Sequence, residues 1–303
     1  MTLVAISLVI LSACIHALWN LFTKKRHPTA SFFLLASLTG TLLLSPILIH
    51  HSDTLLHHIP DRVWMLLIIA GFFMALYFIS LARAYTEGEL SIAYPIARAM
   101  PIIIVLAVVV YLGRVDQISL QSIVGSALVV FGCFMIPLQR FKELRFSNYL
   151  NLTFGMALIA ATCSAGYALV DDEALRYFRN NNQLAIDNTS MTILYACLEA
   201  SITSLWLALF VVIRKQGRID FYQVICVNKW YAIVAGIGIH LSYTLVLLAL
   251  AFVENVSYIV AFHRLSIPLG AVLGILILKE KFYPLKLLGV LIMLVGLLGV
   301  ALG

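Results

Sequence analysis

The sequence predicts an all-α polytopic membrane protein with ten transmembrane helices, arranged as two inverted five-helix repeats. Composition is the first observation behind this prediction. Hydrophobic residues make up 62% of the 303 residues and charged residues only 11%, whereas a soluble domain carries about 25% charged residues. With a mean hydropathy of +1.02, the chain has more apolar surface than one soluble core can bury, so lipid is the expected solvent.

Ten apolar segments provide the second observation, because a membrane span needs about 20 mostly apolar residues. Lipid offers no partners to backbone amides, so each segment is expected to be helical. The five cysteines show no metal-ligand spacing and are interpreted as small buried residues. The predicted segments are 2–22, 30–50, 62–82, 90–112, 118–138, 151–171, 191–213, 230–251, 255–278 and 284–302.

The basic residues predict the orientation of these segments. Fourteen of the 20 Lys and Arg residues follow odd-numbered segments, and four lie on the other side. The positive-inside rule then places the richer side in the cytoplasm and both termini outside, in a membrane expected to be the bacterial inner membrane. The richer set is Lys24, Lys25, Arg26, Arg83, Arg140, Lys142, Arg145, Arg214, Lys215, Arg218, Lys229, Lys279, Lys281 and Lys286, and the other set is Arg62, Arg114, Arg176 and Arg179.

An internal repeat is the third observation. A shift of 166 residues aligns two polar hairpins, and the glycine spacing of the fifth segment recurs in the tenth. We therefore predict two repeats, at 1–138 and 151–303, and an odd number of spans in each gives them opposite orientations. The matched positions are Leu90, Ser91 and Arg98 with Val256, Ser257 and Arg264, and the pair Gly125 and Gly132 with Gly289 and Gly296.

Three runs carry a resemblance to a known family: "YPIARAMPIIIVLAVVVYLGR", "SYIVAFHRLSIPLGAVLGILILKEK" and "HALWNLFTKK". They resemble the EamA branch of the drug/metabolite transporter superfamily, over essentially the whole chain. The second hairpin ends in Lys279-Glu280, close to the usual Gly-Glu of the family, whereas the first ends in Gly113-Arg114. The resemblance implies a ten-helix carrier of small metabolites, frequently an exporter, with a central cavity lined by segments 1, 3, 4, 6, 8 and 9.

Two arginines are the leading candidates for a binding site. Arg98 lies nine residues after Glu89, which is about 14 Å deep at 1.5 Å per residue. Arg264 lies nine residues after Asn255 and enters from the other face. A guanidinium at that depth costs about 2.5–3.5 kcal/mol, which favours a pair that binds an anionic substrate, with Tyr94 on the face of Arg98. The alternative is a structural role, in which the arginines bind carbonyls freed by nearby prolines.

Further polar residues lie on segments 1 and 8. His16, Trp19 and Asn20 share one helical face and are candidates for substrate contact. The alternative for them is interhelical hydrogen bonding and packing. His240 and Tyr243 are candidates for substrate binding on segment 8.

The acidic residues suggest coupling or gating. Glu199 stands alone among apolar neighbours. It is interpreted as a proton-coupling group, as the partner of an arginine or as a structural residue. Asp171 and Asp172 at the end of segment 6 are interpreted as a solvated rim or a gate. His263 is expected to face a neighbouring helix, because it lies about 100° round the helix from Arg264.

The function predicted from these features is secondary transport of a small polar metabolite by alternating access, in the direction of export. An amino acid or an organic or phosphorylated anion is the expected substrate. A flippase for lipid-linked substrates is the alternative, and an intramembrane enzyme is disfavoured because zinc-site and nucleophile motifs are missing from the sequence. We expect no cofactor, metal or nucleic acid, and as partners only substrate, membrane lipid and at most a second copy of the chain.

Overall fold

The computed structural model describes residues 2–23, 28–48, 59–87, 90–114, 118–136, 138, 152–180, 186–278 and 283–302, and all regular elements among them are helical. The long helices follow the predicted apolar segments closely. They are α1 (Leu3–Thr23), α2 (Ala30–Leu44), α3 (Asp61–Glu87), α4 (Leu90–Tyr111), α5 (Leu120–Met135), α6 (Leu152–Arg179), α7 (Asn188–Ile213), α8 (Lys215–Gln223), α9 (Lys229–Ala249), α10 (Val256–Phe262), α11 (Ser266–Leu278) and α12 (Pro284–Leu302).

Eight helical stretches among the described residues are long and apolar enough to cross a membrane. Two shorter apolar stretches, Ala97–Tyr111 and Leu120–Met135, lie in α4 and α5. Because backbone groups in lipid must be paired within the chain, helices of this kind are the expected spanning elements. The chain is therefore a polytopic integral membrane protein.

Helix α3 continues five residues beyond its predicted end and α2 ends six residues before its own, and three further differences from the predicted segments are larger or change the type of element. Helix α6 continues to Arg179, two turns beyond the predicted end, because the ion pair of Arg176 with Asp172 at i,i+4 stabilises its polar extension. A short helix, α8, precedes α9 and joins it through the π-helical turn Val224–Asn228. The ninth segment is divided into α10 and α11 by the 3₁₀ turn His263–Leu265.

Helix α1 packs against α9. The hydroxyl of Ser12 donates to the Ser242 carbonyl at 2.7 Å, and Thr2 near the start of α1 donates to the Phe252 carbonyl, beyond the end of α9. The N-terminal end of α1 thus lies beside the C-terminal end of α9. The two helices run antiparallel.

Helix α3 packs against α6 in the same way. At one end, Arg62 forms an ion pair of 2.8 Å with Glu173, and further along the rings of Tyr77 and Tyr167 are 5.8 Å apart. These contacts make α3 and α6 antiparallel.

Helices α5 and α12 meet along a seam of four glycines. A Cβ at Gly125 would lie 2.6 Å from the carbonyl oxygen of Gly296, and one at Gly132 would lie 2.6 Å from that of Gly289. The backbones approach so closely because no side chain separates them. The order of the contacts makes this pair antiparallel as well.

Candidate functional site

A cavity of about 80 Å³ lies between α1, α3, α4, α6, α9 and the α10 segment with its 3₁₀ turn. These elements correspond to segments 1, 3, 4, 6, 8 and 9, so the cavity lining implied by the family resemblance is confirmed. Its polar wall includes four basic residues, and none of the described residues that line it carries a carboxylate. The basic lining residues are His16, Arg98, His263 and Arg264, and the aromatic ones are Trp19, Tyr77, Phe78, Tyr167 and Tyr243.

Arg98 enters the cavity from α4 and is only 4% exposed. Its Nη1 atom donates a hydrogen bond of 3.0 Å to Nε2 of His16 on α1. A guanidinium has donors only, so Nε2 of His16 must be the unprotonated nitrogen. The His16 ring is also held by edge contacts with Trp19 and His263, at 5.1 and 5.0 Å between centroids.

Arg264 lies on the 3₁₀ turn between α10 and α11 and is 6% exposed. Among the described residues it forms no hydrogen bond and no ion pair, and its Nε is buried without an acceptor. A buried cation without a partner is strongly destabilising. The side chain therefore presents unused donors to the cavity that it lines.

His263 joins the site, which sequence reasoning did not predict. It contacts the neighbouring helix α1, as expected, but it also lines the cavity beside Arg264. Ser12 uses its only hydroxyl hydrogen on the Ser242 carbonyl, so Nδ1 of His263 donates to the Ser12 oxygen at 3.4 Å. The 3₁₀ turn, which the sequence did not signal, brings both basic side chains to one wall.

Tyr243 connects the cavity to a buried carboxylate. Its hydroxyl donates to Oδ2 of Asp171, while Tyr195 on α7 donates to Oδ1 at 2.7 Å. Asp171 is 0% exposed, so the expectation of a solvated rim is wrong for this residue. The reason is that α6 continues past it and α7 and α9 cover it with two tyrosines.

The other acidic residues also differ from expectation. Asp172 is buried rather than solvated, with both its oxygens 3.0 Å from Nε of Arg176. Glu199 is buried in α7, and within the described part of the chain no arginine pairs with it. Among the described residues, the predicted pairing of Glu199 with an arginine is therefore not observed. Neither Asp171 nor Glu199 lines the cavity.

Two predicted binding residues, His240 and Asn20, are not brought to the cavity wall. His240 is buried against Gly40 of α2, because the cavity face of α9 passes through Ile239 and Tyr243 and His240 lies about 100° round the helix from Ile239. Asn20 does not line the cavity, and its side-chain amide donates to the His16 carbonyl at 2.8 Å. The side chain of Tyr94 lies outside the described residues.

Membrane-spanning helices around a cavity with four basic lining residues define the chain as a polytopic membrane protein with an internal cavity. Residues 3–138 match the EamA-like transporter family, a family of transporters and not of enzymes. The resemblance seen in the sequence motifs is confirmed over these residues.

A solved crystal structure with 16% sequence identity covers 98% of this chain and 96% of its own, with a TM-score of 0.70. At that identity the similarity concerns the fold alone. Comparison with curated proteins finds no match.

Proposed function

We propose that the protein is a secondary transporter that carries a small metabolite by alternating access. The substrate would bear a carboxylate or phosphate group, as organic anions and amino acids do. The observation that carries the proposal is Arg264, a buried guanidinium that lines the cavity without a partner among the described residues. An anion in the cavity would supply the missing partner.

The arrangement of basic and aromatic groups supports this class of substrate. Arg98 comes from the first half of the chain and Arg264 from the second, so a ligand between them would contact both halves. Arginine offers a planar fork of donors that matches carboxylate and phosphate oxygens. The aromatic walls would contact the apolar part of the ligand, and a volume of about 80 Å³ fits a small molecule.

Helix directions support ten membrane crossings in two inverted repeats. If the chain crosses the membrane once at each of the ten segments, α1 must run antiparallel to α9, and α3 antiparallel to α6. The contacts of both pairs agree with these directions. If each segment is replaced by its equivalent in the other repeat, the pair of α1 and α9 becomes the pair of α6 and α3. The same exchange converts the Gly125–Gly296 contact into the Gly289–Gly132 contact. Inverted repeats with a site near the midplane are characteristic of secondary transporters.

Orientation and direction belong to the same proposal. The charge distribution favours an orientation with both termini on the outer side of a bacterial inner membrane, and the family resemblance favours export. Two of the four arginines assigned to the outer side, Arg62 and Arg114, contact the same residue, Glu173, at 2.8 and 3.7 Å. Their common contact supports the assignment of these two arginines to the same side of the membrane.

A thermal-shift experiment on purified protein tests the substrate class. The probes are pyruvate, inorganic phosphate, L-alanine and uncharged glucose. A ligand at 100 times its Kd stabilises the folded state by about 2.7 kcal/mol, so we expect a shift with at least one charged probe and none with glucose. Arg264→Gln should remove the shift, and the exposed Arg218→Gln on α8 serves as the matched control. A shift that survives Arg264→Gln, or that only glucose produces, contradicts the proposal.

A further inference from the structure

The geometry points to a proton-binding site formed by Asp171 and Glu199 and connected to the cavity through Tyr243. This inference rests on the proposed function, because it names the ion whose movement would be coupled to transport of an anion. It concerns a different place in the fold, since neither carboxyl group lines the cavity.

Asp171 is held by tyrosines from two other helices. Tyr195 on α7 donates to Oδ1 at 2.7 Å, and Tyr243 on α9 donates to Oδ2. The ring of Tyr243 lines the cavity, whereas Asp171 lies behind it and is fully buried. The Tyr243 hydroxyl is thus the link between this carboxylate and a ligand in the cavity.

Glu199 supplies a second carboxyl group to the same cluster. It lies one helical turn after Tyr195, so the two side chains share a face of α7. Its Oε1 is buried and has no hydrogen-bond partner, and Glu199 interacts electrostatically with Asp171. Two ionised carboxylates in a water-poor environment repel each other strongly, so such a pair holds one proton between its members.

The basic groups near this cluster are engaged elsewhere. The titratable groups that face Asp171 are Tyr195 and Glu199 on α7, Tyr243 on α9 and Asp172 on α6 itself, while α10 carries no charged side chain. The contacts of the surrounding arginines are Arg176 with Asp172, Arg179 with Thr192 and the Leu247 carbonyl, and Arg62 and Arg114 with Glu173. Within the described residues, a proton is therefore the cation that remains to compensate Asp171 and Glu199.

Tyr243 couples this proton to the anion site. While Asp171 is ionised, the Tyr243 hydroxyl donates to it and offers no hydrogen to the cavity. When a proton binds to the carboxyl group, that group becomes a donor to the Tyr243 oxygen. The tyrosine hydrogen can then turn to an anion beside Arg264. The proton that the pair already holds stays on Glu199, so one further proton and one anionic charge enter the protein together and the charges balance.

The proton site is tested without any ligand by pH-difference infrared spectroscopy on the purified protein. The wild type should show the carbonyl stretch of a protonated carboxylic acid that titrates with pH. Asp171→Asn and Glu199→Gln should each change this band, and Tyr243→Phe should change its midpoint. Glu173→Gln is the matched control, because Glu173 is half-exposed and two residues from Asp171. A band that is missing in the wild type, or unchanged in both variants, overturns the proton site.

The coupling is tested in proteoliposomes that contain a pH-sensitive dye, with pyruvate and inorganic phosphate as probes. We expect addition of a transported anion to acidify the interior, and Asp171→Asn to abolish acidification while the anion-induced thermal shift persists. Equal acidification by wild type and Asp171→Asn overturns the coupling. If neither probe moves in the wild type, transport of these anions fails, and the infrared result alone decides the proton site.

Discussion

Nη1 of Arg98 lies 3.0 Å from Nε2 of His16, so a cation on α4 is held by a neutral ring on α1. The same ring lies edge-on to His263, with 5.0 Å between centroids. His263 in turn contacts Ser12 on α1. A residue of the first half therefore connects the two basic walls of the cavity, and we expect it to position Arg98 rather than only to fill space.

Replacement of His16 tests this positioning role. His16→Leu removes one acceptor of a buried guanidinium, which should lower the free energy of unfolding by about 1–3 kcal/mol. His16→Gln keeps an acceptor oxygen and should lose less. The measurement is the melting temperature of both variants in detergent. Equal melting temperatures for the Leu and Gln variants would show that the contact with Arg98 has no energetic role.

The sequence predicted the parts of this site that depend on depth and on helical spacing. Arg98 and Arg264 both line the cavity, and the sequence points to them because a charge inside an apolar segment is visible at once. His240 was misplaced because the apolar neighbours of α9 do not reveal which face meets the cavity. Asp171 was misjudged because its burial depends on tyrosines 24 and 72 positions away in the chain.

The glycine seam between α5 and α12 gives a prediction on stability. A Cβ at Gly296 would lie 2.6 Å from the Gly125 carbonyl oxygen and 2.8 Å from the backbone nitrogen of Val129. Backbone atoms cannot move aside, so Gly296→Ala should cost about 1–3 kcal/mol of unfolding free energy. Gly155→Ala is the matched control, because nothing lies within 4 Å of its added Cβ.

The two alanine variants are compared by their melting temperatures. Gly155→Ala should leave stability unchanged or raise it by up to about 1 kcal/mol, since alanine favours the helix. A Gly296→Ala variant as stable as the control would mean that α5 and α12 do not approach so closely.

The proposed orientation predicts the accessibility of the termini. Tags at Met1 and Gly303 should react with impermeant reagents from outside intact cells, and Lys142→Cys should not. The physical reason is the excess of basic residues on the side of Lys142. Labelling of Lys142→Cys from outside, with both tags protected, would reverse the orientation.

The central claim is that Arg264, together with Arg98, binds an anion in the cavity. A binding titration of Arg264→Lys with the tightest anion from the thermal-shift screen tests it most directly, with Arg218→Lys as control. Lysine cannot reproduce the planar fork of donors, so we expect a loss of about 1.5–3 kcal/mol, roughly tenfold to a hundredfold in affinity. Unchanged affinity together with a large drop in melting temperature would contradict it and make Arg264 a structural residue.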